Sequence, residues 1–339
     1  LGVDFVNQIQ VVTVGEGLLV LRAPNCGILE RSHRLEVLVG GAEINVAVGL
    51  ARLGVPSAWM SRLPNNPISR NIASQIQGVG VDVSGIKWVP DGRIGIMYSE
   101  LGVPPRANQV VYDRANSTAS EMSIEDLDWD TIANAKVLHT TGITAGISET
   151  ARATTIGMCK RAHDLGIKVS FDVNFRAKVS PPEEASAVIS EIAPYVDILI
   201  TGDEEARNLM GVPALTPEKM IKTIRDKYRV SVCVLTLGEK DSIAWDGTQF
   251  YHGSVYHVNR LNRFGAGDSF VAGFLYGYLK NDLQMGMNYG SAIAAYKMTL
   301  PNDNFPVIRK EEIERVIRTG RRLSGSSIDQ SHASYRVER

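Results

Sequence analysis

The sequence predicts an α/β fold: a mostly parallel sheet flanked by helices, carrying a small second sheet as a lid. Three observations predict it. Short apolar runs alternate with amphipathic stretches of helical period along most of the 339 residues, the pattern of successive βαβ units. Two pairs of extended segments, about 17–39 and 93–113, break that alternation and read as a sheet beside the main one. A chain of this length with 44% hydrophobic residues buries a large core and needs no disulfide or structural metal to fold.

Each element follows in order. Ile9–Gly15 (IQVVTVG) is an apolar run closed by glycine and reads as a buried strand. Leu18–Arg22 and Leu35–Val39 are two further runs, the second ending at Gly40-Gly41. In AEINVAVGLARLG, Ile44, Ala47, Val48, Ala51 and Leu53 fall on one broad helical face, and Gly54 stops the helix. Ser57–Ser61 follows as a strand and Pro67–Gln77 as a helix. Arg93–Glu100 and Asn108–Asp113 are extended and joined by the turn GVPPRAN. With 18–22 and 35–39 they form the expected lid over a site at the sheet edge. Alternation then resumes, with strands at Val137–Thr141, Val169–Val173, Asp197–Ile200 and Ser231–Thr236 and helices over 148–165, 182–193, 204–210 and 217–228. Ser242–Trp245 and Thr248–His252, split by Asp246-Gly247, give a hairpin signal. Asp268–Leu279, Leu283–Thr299 and Lys310–Thr319 complete the helices. The expectation is one α/β domain over 9–319, followed by a polar, Ser-rich and flexible tail at 320–339.

Composition removes several function classes. The 36 Lys+Arg nearly cancel the 37 Asp+Glu, for a formal charge of −1, so no field of one sign is available to capture a nucleic acid. Anion binding has to be local. The 31 glycines carry no G-X-Y period, which excludes collagen and points to many tight turns. Cys26, Cys159 and Cys233 lie far apart without a disulfide or zinc spacing, so a reducing, cytoplasmic setting is expected. The opening LGVDFVNQIQ lacks the basic region and apolar core of a signal peptide. No run approaches the roughly 18 apolar residues of a membrane span.

The densest chemical signal is NRFGAGDSFVAGFLYGYL, residues 262–279. Gly265, Ala266 and Gly267 are small and lead into a helix. A helix start presents unpaired N–H groups and the positive end of the dipole, and glycines let backbone amides wrap a phosphoryl group. A carboxylate would repel phosphate there. Asp268 therefore makes sense as a general base that takes a proton from an attacking hydroxyl. The alternative is a Gly-rich turn with Asp268 as N-cap and no ligand at all. No Walker A motif occurs, and the string lies too late in the chain for a dinucleotide fingerprint.

Two further strings bear on the acceptor. VVYDRANSTAS (110–120) sets Tyr112 and Arg114 on one side of an extended segment, and FDVNFR (171–176) ends a strand with Asn174 and Arg176. Ligands in open α/β sheets lie beyond the C-terminal strand ends. Two arginines there would clamp a carboxylate or keto-acid group, which a neutral sugar does not need; each alone is also explained by a surface salt bridge.

GAGDSFVAGF resembles the C-terminal signature of the ribokinase-like (PfkB) carbohydrate kinases, and VGGAEINVAVGLARLG (39–54) resembles their N-terminal one. The likeness runs from about residue 9 to 319. GGAEINVA, VVYDRANS, DVNFR and AAYKMTLPNDN (294–304) are similar to strings of the 2-keto-3-deoxygluconate kinase branch. The resemblance implies a three-layer α/β/α sandwich with a sheet of roughly nine strands, a β-lid that often dimerises, and ATP with Mg²⁺. It implies a small-molecule sugar acid as acceptor, Asp268 deprotonating its terminal hydroxyl to give the 6-phosphate, and the Gly265–Asp268 amides as anion hole. By the same resemblance Gly40, Gly41 and Asn45 contact sugar hydroxyls and Tyr112 lines the pocket. Arg114 and Arg176 hold the carboxylate and keto end, and Asn174 positions substrate or phosphate. Thr236, Leu237 and Gly238 form the adenosine and phosphate segment, Asn288 and Ser291 flank the adenine, and Glu205 is an outer, water-mediated ligand of the metal.

Four positions depart from the family pattern. Asn262 stands where an Asp is usual, Gly202 where Asn is usual in the Asn-x-x-Glu motif that ends at Glu205, and Asp241 where the nucleotide loop has its second glycine. Met97 replaces a Tyr common in the acid-sugar kinases; the adjacent Tyr98 faces the other way on a strand. The competing expectations are a neutral-sugar kinase of fructokinase or ribokinase type and a non-catalytic sugar- or nucleotide-binding relative.

Overall fold

The computed structural model describes residues 8–103, 105–238, 240–300 and 309–320. The expected tail beyond Gly320 and the end of AAYKMTLPNDN, 301–304, lie outside the described residues.

The strands in chain order are β1 (Val11–Val14), β2 (Leu18–Arg22), β3 (Glu36–Gly40), β4 (Ser57–Met60), β5 (Arg62–Pro64), β6 (Lys87–Val89), β7 (Gly95–Glu100), β8 (Gln109–Asp113), β9 (Val137–Thr141), β10 (Lys168–Asp172), β11 (Ile198–Gly202), β12 (Val232–Thr236), β13 (Ser242–Trp245) and β14 (Phe250–His252). The helices are α1 (Ala42–Arg52), α2 (Pro67–Gly78), α3 (Trp129–Ala133), α4 (Gly142–Gly146), α5 (Glu149–Asp164), α6 (Pro182–Ile192), α7 (Asp203–Asn208), α8 (Pro217–Tyr228), α9 (Ala266–Leu279), α10 (Leu283–Met298) and α11 (Lys310–Thr319).

Among the described residues the main sheet has eight strands, one fewer than expected, in the order β14-β13-β12-β11-β10-β9-β1-β4. All pairs from β4 to β12 are parallel, and the β13–β14 hairpin adds antiparallel at one edge. From β1 the chain goes first to β4 on one side and later to β9 on the other, so a topological switch point lies at β1. Apolar residues of α1, α9 and α10 cover one face, and those of α5, α6 and α8 the other. The result is the expected three-layer α/β/α sandwich. The lid is a second sheet in the order β3-β2-β7-β8, built from the two segments that broke the sequence alternation.

Some details differ from the sequence-based expectation. Helix α1 is buried from Ala42 to Leu50 on every side rather than along one face. It shares one apolar cluster with α9 and residues of β1 and β9, and another with Trp59 of β4, Leu63 and α2. Leu53 falls past its end as the C-cap. Strand β14 starts at Phe250 instead of Thr248, because Asp246 Oδ1 accepts from Thr248 N, Thr248 Oγ1 and Gln249 N and holds them in the turn. Strands β5 and β6 and helices α3 and α4 are additional. No described helix is long and apolar enough to cross a membrane.

Candidate active site

Helix α9 begins at Ala266, two residues earlier than expected. Its N-cap is Gly265 at φ 73°, ψ 4°, a left-handed conformation that glycine adopts without strain. Asp268 is therefore the third helical residue and not a cap. Its carboxylate faces across to α1 and β10: Oδ2 accepts from Asn45 Nδ2 at 2.7 Å and Oδ1 from Asn174 Nδ2 at 3.2 Å. This geometry removes the N-cap alternative. In the first turn, Ala266 N donates to Arg263 O. The N–H groups of Gly267 and Asp268 have no backbone acceptor among the described residues, as expected of a helix start. A methyl built on Gly267 meets nothing within 4 Å, so open space lies beside those amides.

The close approach of two helices places Asn45 against Asp268. A Cβ on Gly49 would lie 2.6 Å from Ala272 Cβ. Gly49 is one turn beyond Asn45 and Ala272 one turn beyond Asp268, so this contact brings the two polar side chains together above it. Gly41, the N-cap of α1, has φ 147° and its Cβ would meet Glu16 O at 2.6 Å. Gly40 ends the lid strand β3 immediately before it. Asn174 follows β10 with φ 39°, an uncommon conformation for a non-glycine residue, and that turn aims its amide at Asp268. Asn45 is buried, and its Oδ1 has no hydrogen-bond partner among the described residues; an ordered water or a ligand hydroxyl would satisfy such an acceptor.

Burial raises the pKa of Asp268, opposed by the Asn45 hydrogen bond and then by Arg176, Asn174 and Lys297. Asp172, at the end of β10, is raised well above the ordinary carboxylate range by burial and by the charges of Glu205 and Asp268. Glu43, in the first turn of α1, is pushed up to about 7 by burial, although its Oε1 accepts from Thr141 N, Thr141 Oγ1 and Thr144 Oγ1. Motifs and spacing did not single out Asp172, Glu43, Glu16 or Lys297. Asp172 had a usable signal, a carboxylate closing an otherwise apolar strand at the sheet's C-terminal edge. The others owe their place to partners far along the chain.

The remaining expected residues fall as follows. Tyr112 and Arg114 do come together, with the guanidinium 5.3 Å from the ring centroid. Arg114 is also paired with the buried Glu16. Arg176 is exposed; its Nη1 donates to its neighbour Phe175 O at 2.8 Å, and its charge acts on Asp172 and Asp268. Met97 sits opposite Tyr112 while Tyr98 sits opposite Val111, so Tyr98 lies on the other lid face, as alternation demands. Thr236 ends β12, and Gly238 has φ 64° with open space where a Cβ would stand. Asp241 is turned onto its own strand: Oδ1 accepts from Ser242 N at 2.7 Å, and Oδ2 lies 3.9 Å from His252 Nδ1. Asn288 accepts from Gln284, whose amide also donates to His252 O, so it lies beside the β14 hairpin. Ser291 approaches Ser242 at 3.5 Å. Asn262 is buried and accepts from Phe264 N at 3.0 Å.

Glu205 is held by donors of the protein itself. Its Oε1 accepts from Phe175 N at 2.7 Å, and its Oε2 from Gly202 N at 2.8 Å and Thr201 Oγ1 at 3.2 Å. It caps α7 and pins the loop that carries Asn174 and Arg176. Among the described residues no three His, Cys, Asp or Glu gather as a metal site. The donor set fits a divalent ion carried on a nucleotide and reached through water, and does not fit an ion caged by the protein.

Comparison with known proteins gives this site its family. The profile of the pfkB family carbohydrate kinases matches residues 8–309. A 2-dehydro-3-deoxygalactonokinase of Haloferax volcanii is 32% identical over 312 residues, covering 92% of this chain and 97% of that protein. The crystal structure of a 2-dehydro-3-deoxygluconokinase from Thermotoga maritima superposes with a TM-score of 0.86 at 32% identity, covering 91% of this chain and 99% of that one. A sugar kinase of Pyrococcus horikoshii solved in complex with ATP superposes at 0.75 with 25% identity, covering 91% and 99%. The chain belongs to the pfkB family of carbohydrate kinases and is closely related to its 2-keto-3-deoxygluconate and 2-keto-3-deoxygalactonate kinase branch.

Proposed function

We propose that the protein transfers the γ-phosphoryl group of ATP to the terminal hydroxyl of 2-keto-3-deoxy-D-gluconate or its galactonate epimer, giving the 6-phosphate, with Asp268 as general base. One observation carries the mechanism: a buried carboxylate is held by an amide on each oxygen beside the unpaired N–H groups of a helix start. Relatives named for both epimers support the acceptor class, and the ATP complex of the Pyrococcus protein supports the donor.

Asp268 takes the hydroxyl proton as the substrate oxygen attacks phosphorus in line and the bond to the ADP oxygen breaks. Asn45 and Asn174 hold the base in one orientation. The Gly267 and Asp268 amides face the equatorial oxygens, where charge grows in the transition state. The unpartnered Asn45 Oδ1 accepts a sugar hydroxyl, and Gly41 lets backbone approach it. Arg114 and Arg176 engage the carboxylate and keto end. Mg²⁺ carried on the nucleotide would neutralise phosphate charge, with Glu205 reaching it only through water. The lid closes over the acceptor and excludes water. Val37, Leu21, Tyr98 and Val111 form one row across the lid, and Val37 and Val111 are both 57% exposed; that row is the surface through which a homodimer would form.

An ATP-coupled screen tests the reading. Turnover of 2-keto-3-deoxy sugar acids should exceed that of neutral hexoses and pentoses. Comparable or faster turnover of fructose or ribose would replace the acid acceptor with a neutral one.

A further inference from the structure

Four chain crossings join the lid to the body: residues 15–17 before β2, Gly40-Gly41 after β3, 92–94 before β7 and 114–117 after β8. Glu16 stands in the first, with its side chain 1% exposed. Its Oε2 pairs with Arg114 Nη2, and its Oε1 accepts from Ser117 Oγ at 2.5 Å, which ties the first crossing to the fourth. A Cβ on Gly95 would come within 2.7 Å of Glu16 Oε1 and 3.1 Å of Arg114 Cβ. A Cβ on Gly41 would meet Glu16 O at 2.6 Å. Gly41 in the second crossing and Gly95 directly after the third are therefore glycine where this one residue passes. Glu16 has no part in the phosphoryl-transfer step, because both its oxygens face inward onto protein donors.

We propose that Glu16 is a positioning residue for the acceptor site. From the lid hinge its carboxylate fixes the Arg114 guanidinium over Tyr112, so that preference for an acidic acceptor depends on a residue that never touches the acceptor. The inference rests on the sugar-acid reading above. An unpaired arginine would attract any anion, the nucleotide's phosphates included. A paired one carries little net charge and recognises by geometry, with rotamer freedom already lost before the acceptor arrives. Arg114 Nε is buried and has no hydrogen-bond partner among the described residues.

A double-mutant cycle tests this with steady-state kinetics on a 2-keto-3-deoxy sugar acid. Glu16→Gln keeps the shape and removes the charge. It should raise the acceptor KM roughly tenfold and leave kcat and the ATP KM within about twofold. In an Arg114→Ala background the same substitution should change the acceptor KM by less than about twofold, because Glu16 acts through Arg114. An unchanged acceptor KM in Glu16→Gln, an equal rise in the ATP KM, or the same factor in both backgrounds overturns the proposal. If Glu16→Gln does not fold, Glu16→Asp retains the charge on a shorter stem; its acceptor KM should still rise, and an unchanged value overturns the proposal equally. A wild type that turns over no sugar acid overturns the parent reading and this inference together. A wild type active on the acid with an unaffected Glu16→Gln overturns this inference alone.

Discussion

Replacing Asn45 by Ala removes the 2.7 Å hydrogen bond to Asp268 Oδ2, the largest influence that holds down the raised pKa of this carboxyl. A hydrogen bond to an ionised group contributes about 1.5–3 kcal/mol. At about 1.4 kcal/mol per pK unit this amounts to roughly one to two units. The sign follows from the role of the group. Asp268 works as a base only when ionised, and losing a donor to the ionised form raises its pKa further. The acid limb of the kcat profile should therefore move to higher pH by about one to two units. Below the limb kcat falls roughly tenfold to a hundredfold, and above it kcat recovers towards wild type. The acceptor KM rises at every pH, because the free Asn45 Oδ1 is lost as well. Coupled detection of ADP at saturating sugar acid, taken from about pH 5 to pH 9, reads the limb directly. A kcat lowered by one factor at all pH values, with the limb unmoved, would refute the assignment of the limb to Asp268.

Gly267→Ala separates stability from catalysis. The added methyl meets no atom and should stabilise α9 by about 0.5–1 kcal/mol, seen as a higher melting temperature. It would also crowd the space for the phosphoryl group and lower kcat by at least about tenfold; unchanged kcat would count against the anion hole. Glu43→Gln tests the buried carboxyl in α1. The folded pKa of Glu43, about 7, lies above its ordinary value of 4.5, so its ionisation opposes folding and wild-type stability falls as pH rises between those values. The variant should gain on wild type by about 3 kcal/mol across that window, measured by denaturant unfolding at both ends; a pH-independent difference would contradict it. Arg176→Ala should lower kcat/KM for the sugar acid by roughly tenfold to a hundredfold, and less for any neutral acceptor, which feels only the lost charge beside Asp268. An equal loss on both would remove it from the clamp.

Most of the fold was legible because the signals were local. The alternation of short apolar runs and helical stretches follows from the strand and helix periods, and the Pro- and Gly-marked breaks at 93–113 exposed the lid. What escaped was short or non-local. Strands β5 and β6 have three residues each, and α4 contains two glycines, too little for a period to show. The start of α9 was misplaced because Asp is a strong N-cap residue, whereas here Gly265 takes the left-handed cap. At the site, Asp268 and its amides were visible as a motif. Asn45 and Asp268 meet across 223 positions and Glu16 and Arg114 across 98, and no spacing rule connects such pairs. Glu205 was found by its motif. Its role as cap and loop anchor emerges only once the Phe175, Gly202 and Thr201 donors are in place.

The most direct test of the account compares Asp268→Ala with wild type, measuring binding of a 2-keto-3-deoxy sugar acid by calorimetry and ATP-dependent phosphorylation on the same preparations. The variant should still bind the sugar acid, within about tenfold of wild type, and lose turnover by at least about a thousandfold, since proton removal and the alignment of the attacking hydroxyl are both lost. Near-normal turnover in Asp268→Ala would contradict the account at its centre.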